Sequence, residues 1–356
     1  MTQDRDTTHT FLNHMIRCDA EDLRGVLKQH LTPDCVFHLP HPLGTLVGVQ
    51  AVIDGFLLPL RRALAHAYRR DELFIGGQNR RSNGGDWVAS ITHYVGNFVA
   101  PFFGVQPSNH LAFLRAGEFY RLDQGKIAEA RIILDLPDLM RQAGQMPFPF
   151  SYGLETLFPG PATHDGVLPK TGQGGDSLDV VEGMLGALHS FDPKTFSSAK
   201  QTGQGGYWHE DMMWYGPAGI GSNFRWEGFV KDHRESFLRA FPDRKGGNHY
   251  CRIGDGNYAA VSGWPSMTMT FQGDYLGVKA DGRPLTLRVM DFYRCTDGKI
   301  IENWVMLDYM DLMVALGELT PAEGVQVMGL IDAFRRTLEV TELEARLAAL
   351  EGPKDK

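Results

Sequence analysis

Two aspartates occupy the same place in a repeated segment, and their position suits acid–base chemistry. Residues 125–144 repeat as residues 298–317, with ten of the twenty positions identical. The shift between the copies is 173 residues, which is also the shift between Asp135 and Asp308, and each of these residues ends an apolar strand. Burial beside apolar residues raises the pKa of a carboxyl group. A carboxylate with a raised pKa can remove a proton next to a carbonyl group near neutral pH.

A structural role for the same two aspartates is an open alternative. An aspartate between a strand and a short helix commonly caps the helix N-terminus. Asp135 and Asp308 precede segments that begin at Leu136 and Tyr309, so both fit that position. The sequence therefore leaves three interpretations, which are acid–base chemistry, helix capping and ligand binding without chemistry.

The last hairpin of the second copy predicts which side chains share a face with Asp308. Residues 297–298 are Asp-Gly, which favours a two-residue turn that pairs Thr296 with Lys299. If no bulge follows, Asp291 lies opposite Trp304. The residues of the last strand predicted on one face are Ile300, Glu302, Trp304, Met306 and Asp308.

The same register in the first copy places Glu118 opposite Arg131. We expect an ion pair to cross the first unit at the level where the second unit has an indole. Because that pair would plug the first pocket or make it polar, the second unit is the stronger candidate for a working site, and Asp308 is the leading residue.

Further side chains are predicted to line the pockets. Aromatic residues at strand positions favour a flat apolar ligand, although such residues are more often part of a core. The candidates in the second unit are Trp214, Tyr215, Trp264, Asp291, Trp304 and Met306. His38 is the candidate in the first unit, and a buried, hydrogen-bonded structural role is its alternative.

Length and composition exclude several classes of protein. A chain of 356 residues suits two domains of about 150 residues each. Its formal charge of -8 gives no basic surface for nucleic acid. The four cysteines lie far apart, and His38 and His41 have no carboxylate or cysteine at metal-site spacing, so no metal is expected. The absence of an apolar leader or a long apolar run predicts a cytoplasmic protein without membrane contact.

The order of elements predicts an α+β fold used twice. Each unit begins with helices and continues with strands that would form a curled antiparallel sheet, so that sheet and helices enclose a cone. The predicted domains are residues 1–144 and 177–318, joined by a Pro/Gly-rich connection at 145–176. Residues 319–356 open with a capping box, Thr-Pro-Ala-Glu, and predict a C-terminal helical extension.

Short motifs in the second unit carry a family resemblance. In chain order they are residues 209–211 (HED), Trp214, residues 216–219 (GPAG), residues 233–243 (HRESFLRAFPD), residues 275–277 (YLG), residues 282–283 (GR) and residues 291–308 (DFYRCTDGKIIENWVMLD). With these motifs the unit resembles a SnoaL-like polyketide cyclase domain of the nuclear-transport-factor-two-like superfamily. The first unit resembles it through residues 32–40 (TPDCVFHLP) and the terminal repeat, but has Asn109-His110 in place of Gly-Arg.

The resemblance implies a cofactor-free enzyme. Such cyclases close a polyketide ring by aldol chemistry, with an aspartate at the end of the last strand as acid and base, and Asp308 and Asp135 match that position. The implied partner is an apolar small molecule with a carbonyl group. A non-catalytic ligand-binding or scaffold protein is the alternative that the superfamily also supplies. Pairing of exposed sheet faces, common in such domains, predicts an intramolecular pseudo-dimer, with homo-oligomers also possible.

Overall fold

The protein is described here by a computed structural model covering residues 2–145, 148–170, 174–188, 191–192, 194–198 and 200–315. The predicted extension at residues 319–356 lies outside the described residues. The described chain forms two α+β units, each with one six-stranded sheet, as the sequence predicts.

The first unit contains, in chain order, α1 (Thr2–Arg17), α2 (Leu23–His30), β1 (Leu31–His38), β2 (Thr45–Val47), α3 (Val49–Val52), α4 (Leu58–Ala63), β3 (Leu64–Gln78), β4 (Asp86–Phe98), β5 (Leu111–Asp123), β6 (Lys126–Leu134) and α5 (Leu136–Gln142). The second unit contains α6 (Gly174–Ala187), β7 (Trp208–Tyr215), β8 (Asn223–Phe224), α7 (Arg225–Phe229), α8 (Glu235–Ala240), β9 (Cys251–Asp255), β10 (Tyr258–Thr270), β11 (Pro284–Thr296), β12 (Lys299–Leu307) and α9 (Tyr309–Ala315).

Both sheets are mainly antiparallel, as the sequence predicts, and each also contains one parallel pair of strands. The strand orders are β2-β1-β6-β5-β4-β3 and β8-β7-β12-β11-β10-β9. The pairs β1–β6 and β7–β12 are parallel, and the remaining pairs are antiparallel. The first and last long strands of each unit therefore lie side by side at the middle of its sheet.

The helical segment beneath each sheet contains a π-helical turn at the same place. It spans Ile53–Leu57 between α3 and α4, and Val230–Arg234 between α7 and α8. A π turn inserts an extra residue per turn and re-aims the side chains around it. In both units these helices pack on the concave face of the sheet and form a closed apolar interior, which we call the first cone and the second cone.

The last hairpin departs from the predicted register because of a β-bulge. The Asp-Gly turn does pair Thr296 with Lys299, and Cys295 then pairs with Ile300. The preceding residue of β11, Arg294, pairs with Glu302. Ile301 therefore has no partner on β11 and is the extra residue of the bulge. A one-residue shift moves every later side chain of the strand to the opposite face.

The bulge overturns both predicted cross-strand pairs. Asp291 pairs with Val305 and not with Trp304. In the first unit the bulge recurs at Ala128, 173 residues earlier, so Glu118 pairs with Ile132 and not with Arg131. The bulge is therefore a property of the repeated unit.

The convex faces of the two sheets pack against each other through a third apolar cluster. It includes Trp87, Phe119 and Ile133 of the first sheet and Phe292, Trp304 and Met306 of the second. Phe119 and Phe292 hold the same position in the two units, and their ring centroids are 5.4 Å apart. Contact between equivalent residues marks the axis of a pseudo-twofold pairing.

Candidate functional site

The second cone holds a cavity of about 160 Å³. Apolar side chains from α6, β7 and the helices α7 and α8 form most of its wall. Its polar lining residues are His233, Arg234, Arg244, His249, Ser266, Asp291, Tyr293 and Asn303. A cavity of about 150 Å³ is known to accommodate benzene, so this space fits a single ring.

Asp291 is the carboxylate of this cavity, and β11 directs it there because Val289, Asp291 and Tyr293 are alternate residues on one face of the strand. Burial raises the pKa of Asp291 to about 7, and the side chains of Asn303 and Tyr293 oppose that rise by hydrogen bonding. The amide of Asn303 is itself fixed, because its Nδ2 donates to the carbonyl oxygen of Phe292 at 3.0 Å. Near neutral pH the Asp291 carboxyl can therefore both accept and return a proton.

His233 comes from the π-helical turn and faces the same cavity. Its ring stacks on the indole of Trp214, with centroids 4.3 Å apart and an interplanar angle of 17°. Burial lowers the pKa of His233 to about 3, with the charges of Arg234 and Arg244 acting in the same direction. The imidazole is therefore neutral at pH 7. Its Nδ1 has no hydrogen-bond partner among the described residues, which leaves it free for a ligand.

This arrangement can support enolisation. A base with a pKa near 7 removes a proton from carbon next to a carbonyl, and neutral hydrogen-bond donors stabilise the charge that forms on the carbonyl oxygen. Asp291 is the base; Tyr293 and Asn303 already hydrogen-bond to it, and the neutral ring of His233 lines the cavity as the donor for the oxygen. The chemistry moves protons without any change of oxidation state.

Asp308 caps α9 and does not line this cavity. Its Oδ1 accepts from the backbone N–H of Asp311 at 3.0 Å, and its Oδ2 accepts from Arg288 at 3.0 Å. Burial raises the pKa of Asp308 to about 6, and the Arg288 charge opposes that rise. Both oxygens are occupied by the protein, so the capping interpretation accounts for the residue.

Asp135 makes the equivalent contacts and one more. Its Oδ1 accepts from the backbone N–H of Asp138 at 3.1 Å, and Arg115 donates to its Oδ2 at 3.1 Å. The backbone N–H of Ala218, in the second unit, donates to the same Oδ2 at 3.1 Å. Burial raises the pKa of Asp135 to about 6. Asp135 therefore joins the two units as well as capping α5.

The predicted ligand contacts divide between the cavity and the interface of the sheets. Trp214 and Asp291 line the cavity. Trp304 and Met306 lie instead in the cluster between the sheets, because the bulge moves them to the convex face. Tyr215 belongs to the same cluster and stacks on Trp304, with centroids 5.1 Å apart.

Trp264 and His38 also lie at the interface of the two units. The guanidinium of Arg288 lies 4.5 Å from the ring centroid of Trp264. His38 approaches the same indole at 6.3 Å, and its Nδ1 is 3.1 Å from the hydroxyl of Thr45. His38 therefore does not point into the first cone, and its role is a contact between units.

A charged pair fills the first cone, but its partner differs from the predicted one. Glu118 is fully buried and accepts from Arg69 at 2.8 and 3.1 Å. The hydroxyls of Tyr94 and Ser90 also donate to it. Arg131 lies on the other face, 4.1 Å from the ring centroid of Tyr250. The carboxylate equivalent to Asp291 is thus neutralised inside its own unit.

Sequence reasoning assigned no role to several residues of the cavity. His233, Arg234 and Arg244 lie in or beside the segment at residues 233–243 that carries the family resemblance, so a signal for them was present. Asn303 had no signal of its own, because the bulge at Ile301 decides its face.

Metal sites and membrane-spanning helices are absent from the described part of the chain. No group of three or more His, Cys, Asp or Glu side chains there could hold a metal ion. None of the helices in that part is long and apolar enough to cross a membrane.

Comparison with known families gives one match. The family model described as SnoaL-like polyketide cyclase matches residues 80–143 and 194–316, slightly more than half of the chain. No curated protein matches this chain.

Several solved structures are similar to it. A protein from Jannaschia sp. CCS1, described as a SnoaL-like polyketide cyclase, has 19% identity and a TM-score of 0.33, over 39% of this chain and 90% of that one. AclR from Streptomyces galilaeus, described as a hydroxylase, has 22% identity and a TM-score of 0.32, over 41% and 87%. IdmH from Streptomyces antibioticus, described as a polyketide cyclase, has 21% identity and a TM-score of 0.32, over 40% and 98%.

Proposed function

Because the chain belongs to the family of SnoaL-like polyketide cyclases, we propose that it is a cofactor-independent cyclase or isomerase that acts on a small molecule with a carbonyl group. The reaction takes place in the second cone, and Asp291 is the general acid and base. The observation that carries the proposal is a carboxyl group with a pKa of about 7 that lines a cavity large enough for one ring.

The proton balance of the reaction requires no other reagent. Asp291 takes a proton from the carbon next to the substrate carbonyl, and the electron pair of that C–H bond forms an enolate. His233, whose neutral ring lines the same cavity, is the donor for the enolate oxygen, while Tyr293 hydrogen-bonds to Asp291. In isomerisation, Asp291 returns the proton to another carbon. In cyclisation, the enolate carbon attacks a second carbonyl, and the new alkoxide takes the proton.

Asp308 remains the alternative base, and the family position favours it. Against it stand the occupation of both its oxygens and its place outside the cavity lining. Without turnover, the same cavity would serve a passive ligand-binding protein, which is the second candidate function. One pair of variants separates these possibilities.

The experiment measures hydrogen exchange at the carbon next to a carbonyl group, so the natural substrate need not be known. We would incubate the full chain in D₂O with acetophenone, cyclohexanone or 4-acetylbenzoate and measure deuterium incorporation next to the carbonyl by NMR. We expect Asp291→Asn to lower the exchange rate by about 10²- to 10⁴-fold, the usual contribution of a general base. We expect Asp308→Asn, the matched control, to stay within about threefold of wild type.

The opposite pattern would transfer the role to Asp308. If Asp291→Asn exchanges protons as fast as wild type, the proposal for Asp291 is wrong. If the wild-type protein binds these ketones and exchanges none of them, the passive ligand-binding function is favoured instead.

A further inference from the structure

Two arginines line the cavity of the second cone, and neither has a carboxylate partner among the described residues. Arg234 is buried, with Nε and one Nη bonded to the carbonyl oxygen of Phe196 and the hydroxyl of Ser198. Its other Nη makes no hydrogen bond within the described residues. Arg244 is partly buried, and its guanidinium lies 5.4 Å from the ring centroid of Phe191. Charged groups are seldom buried in proteins without a partner.

The charge of the lining also lacks compensation. Asp291 is the single carboxylate among the described lining residues. Neither arginine contributes to the shift in its pKa, whereas both lower the pKa of His233. Burial, with no compensating anion, lowers the pKa of Arg234 and of Arg244 to about 10. Both arginines thus act on His233, and these three side chains line the same cavity as Asp291.

Arg234 has no cationic counterpart in the π-helical turn of the first unit. In the first unit the π-helical turn has Leu57 at the position of Arg234 and Phe56 at the position of His233. Both of those apolar residues are fully buried. The arginine is thus absent from the copy whose interior is filled.

We propose that the substrate carries an anionic group, a carboxylate or its equivalent, which Arg244 and Arg234 bind while the carbon to be deprotonated lies at Asp291. The assignment of the reacting end rests on the function proposed above. The anion preference rests on the two arginines. The substrate class is thus a monocyclic keto acid or a related ring with one negative charge.

Calorimetric titration of the full chain with benzoate and with benzamide tests the charge preference, because the two rings have nearly the same shape. We expect benzoate to bind at least about tenfold more tightly, which is about 1.4 kcal/mol. Arg244→Gln should abolish most of that ratio. Arg239→Gln is the matched control, because Arg239 stacks on Phe196 nearby but pairs with Glu235 outside the cavity. It should leave the ratio unchanged.

Two further measurements separate the anion site from the proposed base and provide a test if Arg244→Gln does not fold. Asp291→Asn should lose proton exchange and retain the preference for benzoate, so failure of the proposed base and failure of the anion site are distinguishable. If Arg244→Gln does not fold, the wild-type protein still decides, since rising salt should weaken benzoate binding and leave benzamide binding unchanged. Equal affinity for the two probes, binding of neither, or an unaltered ratio in a folded Arg244→Gln protein would overturn the inference.

Discussion

At the residue scale, both units have a carboxylate at the same strand position, on β5 in the first unit and on β11 in the second. The surroundings of each carboxylate determine its role. Glu118 and Asp291 are separated by the repeat shift of 173 residues. Glu118 faces the fully buried guanidinium of Arg69, which neutralises it. Asp291 faces a cavity, accepts from an amide and a phenol, and has no ion-pair partner in the described part of the chain. Ionisation of Asp291 is therefore unfavourable, which raises its pKa and makes its carboxylate basic enough to remove a proton from carbon.

The pH dependence of stability and activity tests that difference at Asp291. Its pKa of about 7 in the folded protein exceeds the unfolded value of about 3.9. The folded state thus retains a proton that the unfolded state loses between about pH 4 and pH 7, and stability from this group falls as pH rises through that window. Activity should rise through pH 7, because the deprotonated form is the base.

Asp291→Asn should therefore be more stable than wild type at pH 8, by roughly 1 to 3 kcal/mol, and equally stable at pH 4. Urea denaturation at the two pH values measures this difference. A variant that gains no stability at pH 8 relative to pH 4 would show that the Asp291 carboxyl is not destabilised by burial.

At the element scale, the Glu118–Arg69 pair joins β5 to β3 across the first cone. Removing one partner of a buried ion pair typically costs about 3 to 5 kcal/mol, because the other charge stays buried. Arg69 retains Asp71, which lies 2.8 Å from it, so we expect Glu118→Gln to lose roughly 3 kcal/mol of unfolding free energy. Proton exchange in the second cone should stay at the wild-type rate. Loss of exchange without loss of stability would contradict a purely structural role for Glu118.

The sequence predicts most elements of the fold, but it does not predict the features that orient the site. Alternating apolar residues and the Asp-Gly turn locate β11 and β12, and both turn residues adopt the expected positive φ, 50° at Asp297 and 73° at Gly298. The bulge at Ile301 has no such signature, because Ile300 and Ile301 suit a regular strand equally well. One extra residue reverses the faces, so Trp304 leaves the cone and Asn303 enters it.

Burial of charge explains another missed element. β3 contains the run Arg69, Arg70, Asp71 and Glu72, which is not typical of a strand in a sheet core. In the fold, Arg69 and Asp71 form an ion pair with nearly no exposure to solvent. Further partners come from other strands, because Arg69 also pairs with Glu118 of β5 and Glu72 pairs with His93 of β4, so local patterning could not reveal the strand.

At the scale of the whole molecule, the two units share one apolar cluster and divide the roles between them. The cluster between the sheets contains residues from both units, and Arg5 of α1 reaches Asp255 of β9 at 2.7 Å. Asp135 extends the contact by accepting from Ala218. Because the convex face of each sheet is buried by the other, the second cone depends on the first for its support.

The two sheets approach each other closely at Gly117. A substitution there tests whether the second cone depends on support from the first unit. A Cβ atom at Gly117 would lie 2.8 Å from Cγ and 3.3 Å from Cβ of Met306 in the opposing sheet. Gly117→Leu therefore separates the sheets or distorts Met306, and overpacking of this kind typically costs about 1 to 3 kcal/mol. Because both units lose packing area, we expect the urea midpoint of both units to fall. We expect the two units still to unfold in one transition.

Gly25→Leu is the control, because it adds the same side chain to an exposed helix position with nothing within 4 Å, and it should be neutral or slightly stabilising. If Gly117→Leu separates the transition in two, with only the first unit destabilised, the second cone folds without support from the first.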